Sequence, residues 1–101
     1  MIVLFEETYL KELFENGKCS DKKHRYQPDV VKRYRKRIET LIAVPKPEAL
    51  YAFNSLNFEA LTGDKAGRYS IRVNNKYRIE FLLSDDELTI CNIVELSNHY
   101  K

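Results

Sequence analysis

The 101-residue sequence predicts an α+β domain in which an N-terminal strand and two helices pack on an antiparallel sheet formed with three C-terminal strands. Three observations lead there. A short apolar run opens the chain at 2–5, two stretches with helical apolar spacing follow it, and period-two runs fill the last third. With 44% apolar and 32% charged residues, the chain suits one small globule spanning 1–101 and argues against disorder.

Each element has its own signal. "IVLF" at 2–5 is a short strand, and "ETYLKELFENG" then sets Tyr9, Leu10, Leu13 and Phe14 on one helical stripe. Gly17 stands where a left-handed C-cap belongs. "KCSDKKHRYQ" reads as a polar connection. Pro28 can open a second helix, since its missing N–H costs nothing in a first turn. Val30, Val31, Tyr34, Ile38, Leu41 and Ile42 give that helix an apolar face; Lys32, Arg33, Arg35, Lys36 and Arg37 cover the rest, and "VPKP" stops it. A short helical turn at "PEALYAF" and a loop "NSLNFEALTGDKAG" lead to the strands "RYSIRV", "KYRIEFLL" and "LTICNIVEL".

The hairpin fixes its own register. A two-residue Asn74-Asn75 turn would set Ile71 opposite Arg78 and mix the faces. A loop extended through Lys76 sets Val73 opposite Tyr77, Ile71 opposite Ile79 and Tyr69 opposite Phe81. Ser70, Arg72, Arg78 and Glu80 then share the other face, with Arg72 and Arg78 as cross-strand neighbours. Like charges directly opposite are destabilising, so such a pair points to an anion as its use.

Charge and cysteine content narrow the classes. Residues 18–37 carry nine Lys or Arg against Asp21 and Asp29, a local charge of +7, while the rest of the chain is −5. A basic segment suits nucleic acid or an acidic partner, and equally a solvated helix face. No apolar run approaches the roughly 20 residues a membrane span needs, and "MIVLFEETYL" is too short and acidic for a secretory signal. Cys19 and Cys91 show neither metal spacing nor a disulfide framework, which reads as a reduced, cytoplasmic protein. No Gly-rich phosphate cradle, metal-ligand cluster or nucleophile elbow occurs, so neither a metal nor a cofactor is expected.

The pattern "L.GDKAGRYSIRVNNKYRIEF" and a final strand running into "NHYK" resemble the HigB-type branch of the RelE/ParE toxin superfamily. The element order agrees over essentially the whole chain, most specifically at 61–82 and 93–101. The resemblance implies a bacterial type II toxin that enters the ribosomal A site and cleaves mRNA. It implies as partners the ribosome, mRNA and a cognate helix-turn-helix antitoxin, HigA-like, and no membrane. Carried over by position, the arginine of the family's "W/Y-R-I" strand is Arg78 and the basic residue after "GD" is Lys65. The C-terminal acid, tyrosine and histidine cluster falls on Asn98, His99 and Tyr100. Here the acid is replaced by Asn98 and the last two come in swapped order. Thr62 stands where a lysine often precedes "GD", and Glu59 where some members carry a histidine.

RNA cleavage without a metal requires removal of the 2′-OH proton, stabilisation of a pentacoordinate phosphate, and protonation of the leaving 5′-oxygen. Arg78 suits the second task through its permanently charged planar fork, with Lys65 beside it. His99 titrates near neutrality and suits either proton transfer; Asn98 would orient it, and Tyr100 would stack on a base or donate a hydrogen bond. Arg72, Lys76, Glu59 and Arg68 are the expected RNA- or phosphate-contacting residues, with Glu59 also available as a base. Plain structural alternatives stand beside these roles. Arg78 could pair with Glu80 or Glu95, Lys65 could be solvated, and the terminal His99 and Tyr100 could fray or pack. His24 fits the basic patch better than catalysis, and Tyr9, Tyr34, Tyr69 and Tyr77 fit the core. Two functional alternatives also remain: a non-catalytic toxin of this fold binding a protein such as DNA gyrase, and a degenerate toxin that retains only its antitoxin.

Overall fold

The computed structural model describes residues 1–85 and 88–98. The chain runs β1 (Ile2–Phe5), α1 (Thr8–Asn16), α2 (Pro28–Ala43), β2 (Glu59–Ala60), β3 (Tyr69–Arg72), β4 (Tyr77–Asp85) and β5 (Thr89–Asn98), with 3₁₀ turns at Lys22–His24, Pro47–Ala52, Asn54–Leu56 and Gly63–Lys65. The five strands form one sheet in the order β1-β5-β4-β3-β2. As expected, β3, β4 and β5 pair antiparallel. β1 joins parallel to β5, so the sheet as a whole is mixed. β2, within the stretch read as a loop, adds a two-residue edge strand.

The helices form where their signals lie. Gly17 caps α1 at φ 77° and its N–H reaches Leu13 O at 3.1 Å. Pro28 opens α2, and Val44 follows its last turn. Both helices cover one sheet face, burying Leu10, Leu13, Tyr34, Ile38 and Leu41 against Ile71, Ile79, Phe81, Cys91 and Ile93. Each fully buried large apolar side chain contributes about 1.5–3 kcal/mol. The Tyr34 hydroxyl donates to Leu10 O at 2.7 Å, which fastens α2 to α1. Ile42 departs from its expected place on the apolar face: it is exposed, while Leu41 and Val44 take the inward positions at this end of α2.

Two strand features position the site. The β3–β4 hairpin has the expected register, Tyr69 opposite Phe81, Ile71 opposite Ile79 and Arg72 opposite Arg78. Its turn is held by Asn74, whose side-chain oxygen accepts from the N–H groups of Lys76 and Tyr77 at 2.8 and 2.9 Å. The second feature is a bulge between β4 and β5, where pairing steps from Phe81–Ile93 to Glu80–Glu95. Val94 is the extra residue, and it changes which residues of β5 face the helices. Cys91 and Ile93 point inward before it and Leu96 after it, leaving Glu95 beside Glu80 on the opposite face.

Candidate functional site

The sheet face away from the helices carries a continuous row of polar residues. Glu59 on β2 is opposite Ser70 on β3, Ser70 opposite Glu80 on β4, and Glu80 opposite Glu95 on β5. The next row is Arg72, Arg78 and Ser97. Strands lie about 4.8 Å apart, so the four-strand row spans roughly 14 Å. Ser70, Glu80 and Ser97 are buried although they face away from the core. The 61–68 loop supplies Lys65 and Arg68 to this face.

Cations and carboxylates interlock here. Arg78, with a side chain only 12% exposed, extends Nη1 to Glu59 Oε1 at 3.2 Å and to Ser70 Oγ at 3.3 Å. Lys65 Nζ reaches Glu80 Oε2 at 2.6 Å, and Arg68 Nη1 reaches Glu80 Oε1 at 2.9 Å and Glu95 Oε1 at 3.1 Å. Burial alone would push the Glu80 carboxyl up. Hydrogen bonds from Lys65, Ser97 and Arg68 and the charge of Lys65 outweigh it, and hold the group below the usual carboxylate range. The hydrogen bond to Glu80 raises Arg68 above its ordinary value, against its own partial burial.

The residues singled out from sequence divide into three sets. Arg78, Lys65, Arg68 and Glu59 come together, and Glu80, rather than receiving Arg78, is committed to the two loop cations. Arg72 is level with Arg78, but its guanidinium turns toward the hairpin end, with Nε donating to Asn74 O at 3.3 Å and Nη2 to the Asn75 side chain. The two arginines therefore splay apart, which relieves the like-charge cost of their register. Lys76 is exposed on the turn. Asn98 is paired with Tyr77, a residue on the helix-facing side, while Ser97 is the residue level with Arg78. His99 and Tyr100 lie outside the described residues.

Other candidates have structural employment. His24 stacks on Tyr9 with ring centroids 3.6 Å apart, and its Nδ1 lies 2.8 Å from Asp21 Oδ2. Burial pushes the Tyr9 hydroxyl up to about 12 and raises Tyr34 as well, so neither serves as a base near neutrality. On α2, Arg35 Nε donates to Phe14 O at 2.9 Å, closing the end of α1, and Arg37 Nε donates to Arg72 O at 3.1 Å. Lys32, Arg33 and Lys36 remain exposed. A concavity of about 1000 Å³ lies between the end of α1 and α2 and includes none of the row residues. Both cysteines are free, and among the described residues no helix is long and apolar enough to cross a membrane.

The sequence places Ser70 and Glu80 on this face but points to no catalytic or binding role for them, and it does not place Glu95 and Ser97 there. Only the hairpin register carried a signal for Ser70 and Glu80; the bulge that delivers Glu95 and Ser97 had none.

Several solved structures share this architecture. The fold is similar to YafQ from E. coli strain BL21(DE3), with a TM-score of 0.63 at 11% identity over 96% of this chain and 91% of that one. It is similar to a chain of the YoeB-YefM complex from Staphylococcus aureus, with a TM-score of 0.59 at 20% identity over 99% and 98% of the two chains. A YoeB/ParE toxin from Agrobacterium tumefaciens gives 0.58 at 17% identity over 99% and 100%. Among curated proteins, none matches the chain by sequence. At these identities the structural likenesses establish the fold alone. The profile of one family, however, matches residues 3–95, nearly the whole length on which the hairpin, the cationic loop and the bulged strand are built. On that match the chain belongs to the RelE-like toxins of the type II toxin-antitoxin system HigB.

Proposed function

We propose that this RelE-like toxin is a ribosome-dependent mRNA endoribonuclease that halts translation and is held inactive by a cognate HigA-like helix-turn-helix antitoxin. One observation carries the reading: Arg78, with little of its side chain exposed, shares one sheet face with Lys65 and Arg68. A pentacoordinate phosphate requires preorganised cations in a desolvated site, and such cations commonly accelerate the reaction more than any other single effect. A phosphodiester approaching this face would compete with the exposed Glu59 for the Arg78 guanidinium. His99 is assigned the proton transfers, and Tyr100 a stacking or hydrogen-bonding role against the RNA. Asn98 ends β5 and hands the chain on to them. Membership of a type II toxin-antitoxin family, together with the likeness to a chain of the S. aureus YoeB-YefM complex, supports an antitoxin as the physiological partner.

Arg78→Lys tests the assignment. It keeps the charge and removes the planar fork. Expressed without antitoxin, the variant should fold and bind antitoxin as wild type does, yet lose growth arrest, with a rate at least about 10²-fold lower. Undiminished growth arrest would remove Arg78 from the site.

A further inference from the structure

Glu80 sits where a carboxylate should be solvated, on the sheet face opposite the helices, yet it is 3% exposed. What buries it is the 61–68 loop. That loop turns through two glycines in the left-handed region, Gly63 at φ 66° and Gly67 at φ 96°. Its backbone hydrogen bonds close on itself: Leu61 to Arg68, Lys65 to Thr62, Ala66 to Gly63 and Arg68 to Lys65. Beyond the short β2–β3 pairing at its base, its fastening to the sheet is made by side chains. Lys65 grips one oxygen of Glu80 at 2.6 Å and Arg68 the other at 2.9 Å. Glu95 is the second partner: it bonds Arg68 at 3.1 Å but lies 3.8 Å from Lys65, and it is 34% exposed where Glu80 is buried.

Resting on the endoribonuclease reading above, we infer that Glu80 is the positioning residue of the site, its two carboxylate oxygens fixing Lys65 and Arg68 beside Arg78 before any phosphate arrives. A glycine-bracketed loop would otherwise place its two cations over a range of positions, and a misplacement of about 1 Å can cost about 10²-fold in rate. The same carboxylate lowers the positive charge that a substrate phosphate meets at rest. Glu80 therefore weakens ground-state attraction while it sets transition-state geometry, which is the division that favours turnover over binding. These two effects have opposite signs in a variant, and that makes the role separable from plain structural support.

Glu80→Gln keeps the size of the side chain and removes its charge. On mRNA-programmed ribosomes its single-turnover rate should fall by about 10–10²-fold while half-saturation tightens by about two- to fivefold. Glu95→Gln removes a charge from the exposed end of the row but leaves both Glu80 bonds in place, so it should lose clearly less rate than Glu80→Gln. Glu80→Asp keeps the charge but is one methylene short, so it should lose rate without tightening; it also serves if the glutamine variant fails to fold. Independently of RNA, the ¹⁵N ammonium signal of Lys65, protected by its hydrogen bond in the wild type, should vanish in Glu80→Gln and persist in Glu95→Gln. A Glu80→Gln protein with the wild-type rate, or with the Lys65 signal intact, overturns the inference, as does an equal loss of rate in Glu95→Gln. A wild type that cleaves no RNA overturns the functional reading alone, because the Lys65 signal still decides whether Glu80 holds the loop.

Discussion

At the scale of single residues, the site is governed by which carboxylate answers which cation. Arg78 meets Glu59, exposed on the edge strand, whereas Lys65 and Arg68 meet Glu80, buried in the sheet. An exposed partner is displaced cheaply, and a buried one is not. On the proposed function this sets Arg78, whose carboxylate partner is exposed, apart from two cations held on a buried carboxylate. The Glu80 carboxyl also links stability to pH. Its proton affinity is lower in the folded protein than in the unfolded chain. It therefore contributes stability that is fully present above the ordinary carboxylate range, about 4.3, and is lost as pH falls through the lower folded value. Unfolding free energy measured by urea denaturation between neutrality and about pH 3 should fall less steeply in Glu80→Gln than in wild type. Parallel curves would mean that Glu80 is not held in its charged form.

Among the elements, β5 does the least obvious work. Its bulge at Val94 lets Cys91, Ile93 and Leu96 all reach the core and sets Glu95 beside Glu80. Deleting Val94 leaves every paired residue with its present partner, so the variant should fold, with a loss of about 1–3 kcal/mol read by urea denaturation. Deleting Asn92 instead removes a residue paired with both Leu4 and Leu82 and turns neighbouring core residues outward, which should abolish folding. If both deletions behave alike, the bulge is not what sets the facing of β5. The same strand marks the limit of what the sequence displays. The hairpin register was legible because Ile71, Val73, Tyr77, Ile79 and Phe81 admit only one pairing that separates the faces. Both helices were legible from their stripes, from Gly17 and from Pro28. An inserted residue leaves no trace in an apolar alternation, and β2, two residues long, has no alternation to display. The burial of Glu80 was hidden for another reason: it depends on a loop folding over a face that local pattern assigns to solvent.

The whole molecule separates two basic surfaces, one on the sheet and one on α2. The sheet surface is nearly balanced by Glu59, Glu80 and Glu95, and the α2 surface is not. Arg35 and Arg37 are tied to backbone carbonyls, while Lys32, Arg33 and Lys36 stand exposed. On the proposed function these three contribute affinity for ribosomal RNA without sequence choice. Replacing them together by Gln should weaken ribosome association and reduce its dependence on salt, measured by co-sedimentation across a potassium chloride series. An unchanged slope would make the run a solvated helix face.

The central claim, that this toxin cuts mRNA on the ribosome with Arg78 at the scissile phosphate, is tested most directly by mapping RNA ends after induction without antitoxin. Wild type should produce cuts confined to translated frames, with 2′,3′-cyclic phosphate or 3′-phosphate ends left by 2′-OH attack, and Arg78→Lys should produce almost none. Intact transcripts in arrested cells, above all with accumulated gyrase–DNA breaks, would contradict the account and make the protein a binder of a protein target.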